Sequence, residues 1–253
     1  SIILMRALIG GDFMGSGNRF EEIGGGLSVE VSDDHGFTED ALLLARFASS
    51  RPDDHVCDLG TGCGIIPLFW CRNHNPPVIT AVEIQKQAAE MAERSVDRSG
   101  MSGRVKVYHA DLRDWRIFLK PGSQDVVTMN PPYFTPGSGG KSKTEAARIA
   151  RHEGEGCTFQ DAAQAASGLL RTGGRFCFCH RPERLCDVFA ALRGIGLEPK
   201  KLRFLHAKAD AAPWLFLCEA RKGGSQGVIV LPPFIRNNPD GSPTSEQITL
   251  YNL

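Results

Sequence analysis

Apolar and polar positions alternate along this chain between two kinds of block. Short apolar runs of four to seven residues are separated by longer stretches in which apolar positions recur at helical spacing. The first such run is Val56-Cys57-Asp58-Leu59, preceded by a helical stretch from Ala41 to Ser49. Val78-Ile79-Thr80-Ala81-Val82-Glu83 reads as a second strand, followed by a helix from Gln85 to about Arg98. Val105 to Asp111 reads as a third strand, and Val126-Val127-Thr128-Met129 as a fourth. Thr158 is an N-cap candidate for a helix from Phe159 to Leu170, with Gly173-Gly174 closing it before a strand over Arg175–Cys179. A helix from Pro182 to Leu192 follows, then strands at Leu202–His206 and Trp214–Ala220. The link between those last two is too short for a crossover helix, so they are antiparallel neighbours. Strands alternating with helices define an α/β doubly wound fold.

The ends of the strands carry the chemistry. Asp58 closes the first strand and leads into Gly60-Thr61-Gly62-Cys63-Gly64, a turn whose glycines let the backbone approach a ligand closely. The spacing differs from the Gly-x-Gly-x-x-Gly of dinucleotide folds, and an acid ahead of the glycines repels a pyrophosphate while attracting an ammonium or sulfonium. S-adenosylmethionine is therefore favoured over NAD. Glu83 and Asp111 end the next two strands on the same rim, suited to ribose hydroxyls and to an adenine amino group respectively. The fourth strand stops at Asn130-Pro131-Pro132-Tyr133. Here an amide oxygen, a backbone carbonyl and an aromatic face converge, which suits a planar substrate bearing an amino group, such as a nucleobase or an amide.

On these residues the chain resembles the class I S-adenosylmethionine-dependent methyltransferases of the amino-methylating type. More narrowly it is similar to the bacterial tRNA(1)(Val) adenine-37 N6-methyltransferases. Phe37-Thr38-Glu39-Asp40-Ala41-Leu42-Leu43-Leu44-Ala45, Ala147–Glu153 and Leu231-Pro232-Pro233 carry the narrower match. The resemblance implies a single Rossmann-like domain over 36–222, built on a seven-stranded, mostly parallel sheet with an antiparallel C-terminal hairpin. It implies a cofactor site of Thr38, Asp40, Asp58, Gly60, Thr61, Gly62, Gly64, Glu83, Ile84, Asp111, Leu112 and Asn130. Of the adjacent acids Glu39 and Asp40, either is open as the one that approaches the cofactor. Asn130, Pro131, Pro132 and Tyr133 would hold the substrate amine. Residues 1–35, with glycine clusters at 15–17 and 24–26, read as irregular or short β structure that packs over the cofactor, and 223–253 as an extended arm.

Composition narrows the partners. Net charge is zero, but residues 1–125 carry 13 basic and 18 acidic side chains, against 16 and 11 in 126–253. Lys141, Lys143, Arg148 and Arg151 fall in a Gly/Ser-rich stretch just after Tyr133, placed to contact the phosphates of an RNA, with tRNA implied by the resemblance. No run of eighteen apolar residues spans a membrane, and no leader is recognisable. The eight cysteines, at 57, 63, 71, 157, 177, 179, 186 and 218, include no Cys-x-x-Cys pair, so they read as reduced residues of a cytoplasmic protein that holds no metal. His109, within a strand, reads as a hydrogen-bond partner, and His152 lies in the basic stretch. The Asn-Pro-Pro-Tyr motif also serves glutamine-amide methyltransferases and other DNA or RNA amino-methyltransferases. A cofactor-binding module without catalysis remains a separate reading, against which the intact motif argues.

Overall fold

The computed structural model describes residues 17–73, 76–131 and 157–251. Eleven strands and six α-helices are formed among them. A hairpin comes first, β1 (Arg19–Gly24) and β2 (Leu27–Val31). Helix α1 (Glu39–Ala48) leads into β3 (His55–Leu59), α2 (Ile65–Asn73), β4 (Val78–Glu83), α3 (Lys86–Arg98) and β5 (Val105–His109). A 3-10 segment, Leu112–Ile117, precedes β6 (Gln124–Met129). Then come α4 (Phe159–Leu169), β7 (Leu170–His180), α5 (Leu185–Gly194), β8 (Leu197–His206) and β9 (Pro213–Lys222). The chain finishes with β10 (Ile229–Val230), β11 (Phe234–Ile235) and α6 (Ser245–Tyr251).

In the large sheet the strands run β10-β8-β9-β7-β6-β3-β4-β5, with β11 also pairing β8. Strands β3 to β7 are parallel, while β9 lies antiparallel between β7 and β8. Strands β3 to β9 are thus the mostly parallel sheet with its antiparallel hairpin, and β10 and β11 add short parallel pairings along β8. Side-chain alternation splits each strand between two layers of core. Val56 and Val126 join Leu42, Leu44 and Trp70 on one face, whereas Cys57, Leu59, Val127 and Met129 pack with Phe159, Ala162 and Leu169 on the other. Both faces are covered, so the central strands read as apolar runs.

Three expectations change. First, Gly173-Gly174 does not close α4, which ends at Leu169, one residue short of the expected Leu170, with β7 following at once. Leu170 is already extended (φ −69°, ψ 137°), and the Lys222 ammonium donates to the Ser167 and Leu170 carbonyls that the helix end leaves unpaired. Gly173 (φ +80°) instead sits inside β7, where register with β6 slips between Gln124 and Val126. Second, of the segment 1–35 it is the stretch after the hairpin, not the hairpin itself, that reaches the cofactor motifs. The hairpin's β2 strand lies along α3, where the Ser95 and Ser99 hydroxyls accept from the Glu30 and Ser28 amides at 2.8 and 3.0 Å. The Arg94 guanidinium pairs with the Glu30 carboxylate at 2.6 Å across the same contact. What reaches the cofactor motifs is the loop after the hairpin, from Ser32 to Thr38. Third, the arm over 223–253 expected to be extended ends in α6, whose Gln247 amide reaches Glu39 at the start of α1.

Candidate functional site

Parallel strands deliver their C-terminal ends to one edge, and helices on opposite faces part there. A cleft of about 1060 Å³ opens at that edge. Asp58, Glu83, Asp111 and Asn130, from the ends of β3, β4, β5 and β6, all line it, as do Gly60, Thr61, Gly62, Ile84, Leu112 and Pro131. Thr38 and Asp40 enter from the start of α1.

The glycine loop is bent by Gly60, Gly62 and Gly64, all at positive φ (70°, 58° and 86°). At Gly64 a Cβ would also lie 3.3 Å from the Ala92 Cβ, so α2 could not approach α3 as closely with any other residue. Val82 anchors the loop, its carbonyl accepting from the Gly60 and Thr61 amides at 2.8 and 3.0 Å. Glu83 completes the turn. Its carboxylate accepts from the Gly62 amide at 2.8 Å and from the Gln85 amide at 2.9 Å. Burial raises the Glu83 pKa, and those amide bonds oppose the shift.

Asp58 is 1% exposed. In register with Thr128 on β6, it accepts that hydroxyl's hydrogen bond at 2.7 Å through Oδ1, while Oδ2 is buried without a partner among the described residues. Desolvation pushes its pKa up to about 7, only partly offset by the Thr128 bond. A buried carboxylate oxygen without a partner is costly, and a ligand ammonium on the cleft side would supply what it lacks. This donor set fits the amino-acid end of S-adenosylmethionine.

The two acids at the start of α1 separate. Glu39 turns away from the cleft to bind the Arg236 guanidinium and the Gln247 amide of the C-terminal stretch. Asp40 lines the cleft and accepts from the Trp214 indole N–H at 3.1 Å, its pKa raised by burial. Asp111 reaches the rim with its carboxylate already engaged. It caps the 3-10 segment through the Arg113 amide at 2.9 Å and pairs with the Arg113 guanidinium at 2.5 Å, which lowers its pKa. The Asn130 amide oxygen accepts from the Cys179 thiol at 3.1 Å. His109 Nε2 donates to the Ile84 carbonyl, 3.1 Å away, as a strand-end partner. Pro132, Tyr133, Lys141, Lys143, Arg148, Arg151 and His152 lie outside the described residues. Among those that are described, no cluster of His, Cys, Asp and Glu is arranged to hold a metal, and no helix is long and apolar enough to cross a membrane.

Sequence reasoning passed over His35, Thr128, Cys179, Arg181 and Trp214. Thr128 was within reach of it, because it stands two residues before Asn130 on the same side of β6. His35, Arg181 and Trp214 line the cleft from a loop, the end of β7 and β9, and nothing local in their segments marks them.

Strand order, glycine turn and acid-lined edge define a Rossmann-like methyltransferase domain of the kind built around S-adenosylmethionine. Residues 34–179 match the family model described as "Methyltransferase small domain", and the chain belongs to that family. It is 31% identical over 161 residues to the tRNA1(Val) (adenine(37)-N6)-methyltransferase of Pedobacter heparinus, a match covering 62% of this chain and 66% of that one. With the protein of the same name from Erwinia tasmaniensis it shares 34% identity over 139 residues, 54% of this chain and 55% of the relative. These matches therefore span between about half and two thirds of the relatives' length. In fold it is similar to a predicted O-methyltransferase, Atu636, from Agrobacterium tumefaciens, with a TM-score of 0.68 and 23% identity over 84% of this chain and 95% of that one.

Proposed function

We propose that this protein transfers a methyl group from S-adenosylmethionine to the exocyclic amino nitrogen of a nucleobase, adenine N6 in a tRNA. The observation that carries the reading is the meeting of Asn130 and Asp58 in one cleft, an amide acceptor beside a buried carboxylate oxygen that lacks a partner. Support for adenine and tRNA comes from the relatives, which are tRNA1(Val) (adenine(37)-N6)-methyltransferases by name, and for an amine acceptor from the Asn-Pro-Pro-Tyr stretch.

When bound, S-adenosylmethionine supplies a methyl already activated by its sulfonium. The protein's own task is then alignment, which dominates catalysis when the leaving group is neutral. Asp58 would hold the ammonium, Glu83 would take a ribose hydroxyl on a lone pair its two amide bonds leave free, and Ile84 and Leu112 would line the adenine side. Asp111, already paired with Arg113, meets the adenine amino group only through a remaining acceptor site. Asn130 Oδ1 and the Pro131 carbonyl accept the two N–H bonds of the substrate amine, drawing its lone pair out of the ring. Those bonds tighten as the nitrogen gains positive charge, so they favour the transition state over the ground state. Tyr133 stacks on the base, worth roughly 1–3 kcal/mol. Lys141, Lys143, Arg148 and Arg151 contact phosphates without reading sequence.

Labelled methyl transfer to unmodified tRNA, followed by nucleoside analysis, tests the reading. N6-methyladenosine is the expected product. Label appearing only in protein glutamine, or no transfer to any RNA by protein that binds the cofactor, would overturn the tRNA assignment.

A further inference from the structure

The loop between β2 and α1 brings a histidine to the cofactor edge that no sequence motif marks. His35 is 8% exposed and lines the same cleft as Glu83. Its backbone is fully committed: the His35 amide donates to the Ser32 hydroxyl at 3.0 Å, and its carbonyl accepts from the Ser32 amide at 2.7 Å. The closed turn fixes where the ring stands. Yet Nε2 is buried and has no hydrogen-bond partner among the described residues. A structural histidine in a core is normally satisfied, because leaving a buried ring nitrogen unpaired costs as much as a lost hydrogen bond.

We propose that His35 is a cofactor-binding residue whose Nε2 hydrogen-bonds a ribose hydroxyl beside Glu83. The inference rests on the cofactor reading above and deepens it. Glu83 is an acceptor only, and two of its lone-pair positions are taken by the Gly62 and Gln85 amides. A ribose diol offers two hydroxyls, each a donor and an acceptor. One hydroxyl on Glu83 leaves the other to the imidazole, which can donate or accept according to its tautomer. His35 would thus complete a clamp for which Glu83 supplies one jaw, from a loop that precedes the nucleotide-binding strands altogether.

Calorimetry with S-adenosylhomocysteine and its 2′,3′-dideoxy form, on the wild-type chain and on His35→Ala and His35→Gln, tests this. His35→Ala should weaken S-adenosylhomocysteine on the order of tenfold, the size of one neutral hydrogen bond. His35→Gln, which keeps a polar group in the place, should recover part of that loss. The dideoxy form should bind wild type and His35→Ala equally. Unchanged affinity in His35→Ala, or an equal loss with the dideoxy form, overturns the role of His35 while the cofactor site stands. A wild-type chain that binds no S-adenosylhomocysteine overturns both this inference and the proposed function. Should the alanine variant lose its cooperative melting transition, the glutamine variant carries the same comparison between the two ligands.

Discussion

Asp58 shows how much a single residue can be asked to do by its surroundings. Its folded pKa is about 7 against an ordinary 3.8, so between those values the folded chain holds a proton that the unfolded chain has released. The contribution of this group to stability is accordingly greatest at low pH and is lost as pH rises from about 4 to about 7. A bound ammonium reverses the preference, because it pairs with the ionised form. Cofactor affinity is therefore expected to rise with pH between 6 and 8, with Asp58→Asn weakening binding and flattening the profile relative to wild type. Calorimetry across that range checks it, and parallel profiles for the two proteins would show that Asp58 is not the group titrating. Asn130 belongs to the same scale. Asn130→Ala should lower methyl transfer by roughly 10²–10³, the usual effect of removing one hydrogen-bonding group from a transition state. S-adenosylhomocysteine affinity should stay within a few-fold of wild type if, as proposed, the amide oxygen that bonds the Cys179 thiol also meets the substrate amine. An equal fall in cofactor affinity would move Asn130 to the cofactor's side of the cleft.

Among elements, α4 packs closely against the segment after β5. A Cβ on Gly168 would fall 2.2 Å from Trp115 Cζ2, inside a ring that is only 2% exposed and cannot swing clear. Gly168→Ala should destabilise the fold by about 1–3 kcal/mol or more despite the better helix propensity of alanine. Urea unfolding reads this directly as a lower midpoint with an unchanged slope. Because Trp115 lies in the 3-10 segment that Asp111 caps, the same variant should disturb the Asp111 side of the cleft before the Asp58 side. The Thr158 cap was legible at this scale. Its hydroxyl accepts from the Asp161 amide while the Asp161 carboxylate accepts from the Thr158 amide, a reciprocal pair of local bonds that needs no distant partner. The end of the same helix was legible to within a residue, Leu170 against Leu169, but the group that satisfies its last carbonyls was not, because it is Lys222, 52 residues beyond Leu170.

Over the whole molecule, the C-terminal stretch is tied to the cofactor edge through α1. Arg236 binds Glu39 and stacks over the Trp214 indole at 4.6 Å, while that indole donates to Asp40 on the cleft wall. Arg236→Ala should leave the chain folded and lower cofactor affinity several-fold by loosening the start of α1, at the few-tenths to one kcal/mol scale of a partly exposed ion pair plus its stacking. A melting curve beside a calorimetric titration separates the two effects, and unchanged affinity would confine the arm to a structural part. The sequence by itself determined the doubly wound alternation, the positions of Asp58, Glu83, Asp111 and Asn130 at successive strand ends, and the antiparallel finish. All of these follow from local periodicity, from glycine and proline stops, and from links too short for a crossover. Only the tertiary structure decided which of Glu39 and Asp40 faces the cleft, that Asp111 is already held by Arg113, that the hairpin braces α3 and leaves the cofactor edge to the loop behind it, and that His35 and Trp214 stand at that edge. These depend on partners tens to hundreds of residues away, and a side chain's role is set by the burial and hydrogen bonds such partners impose.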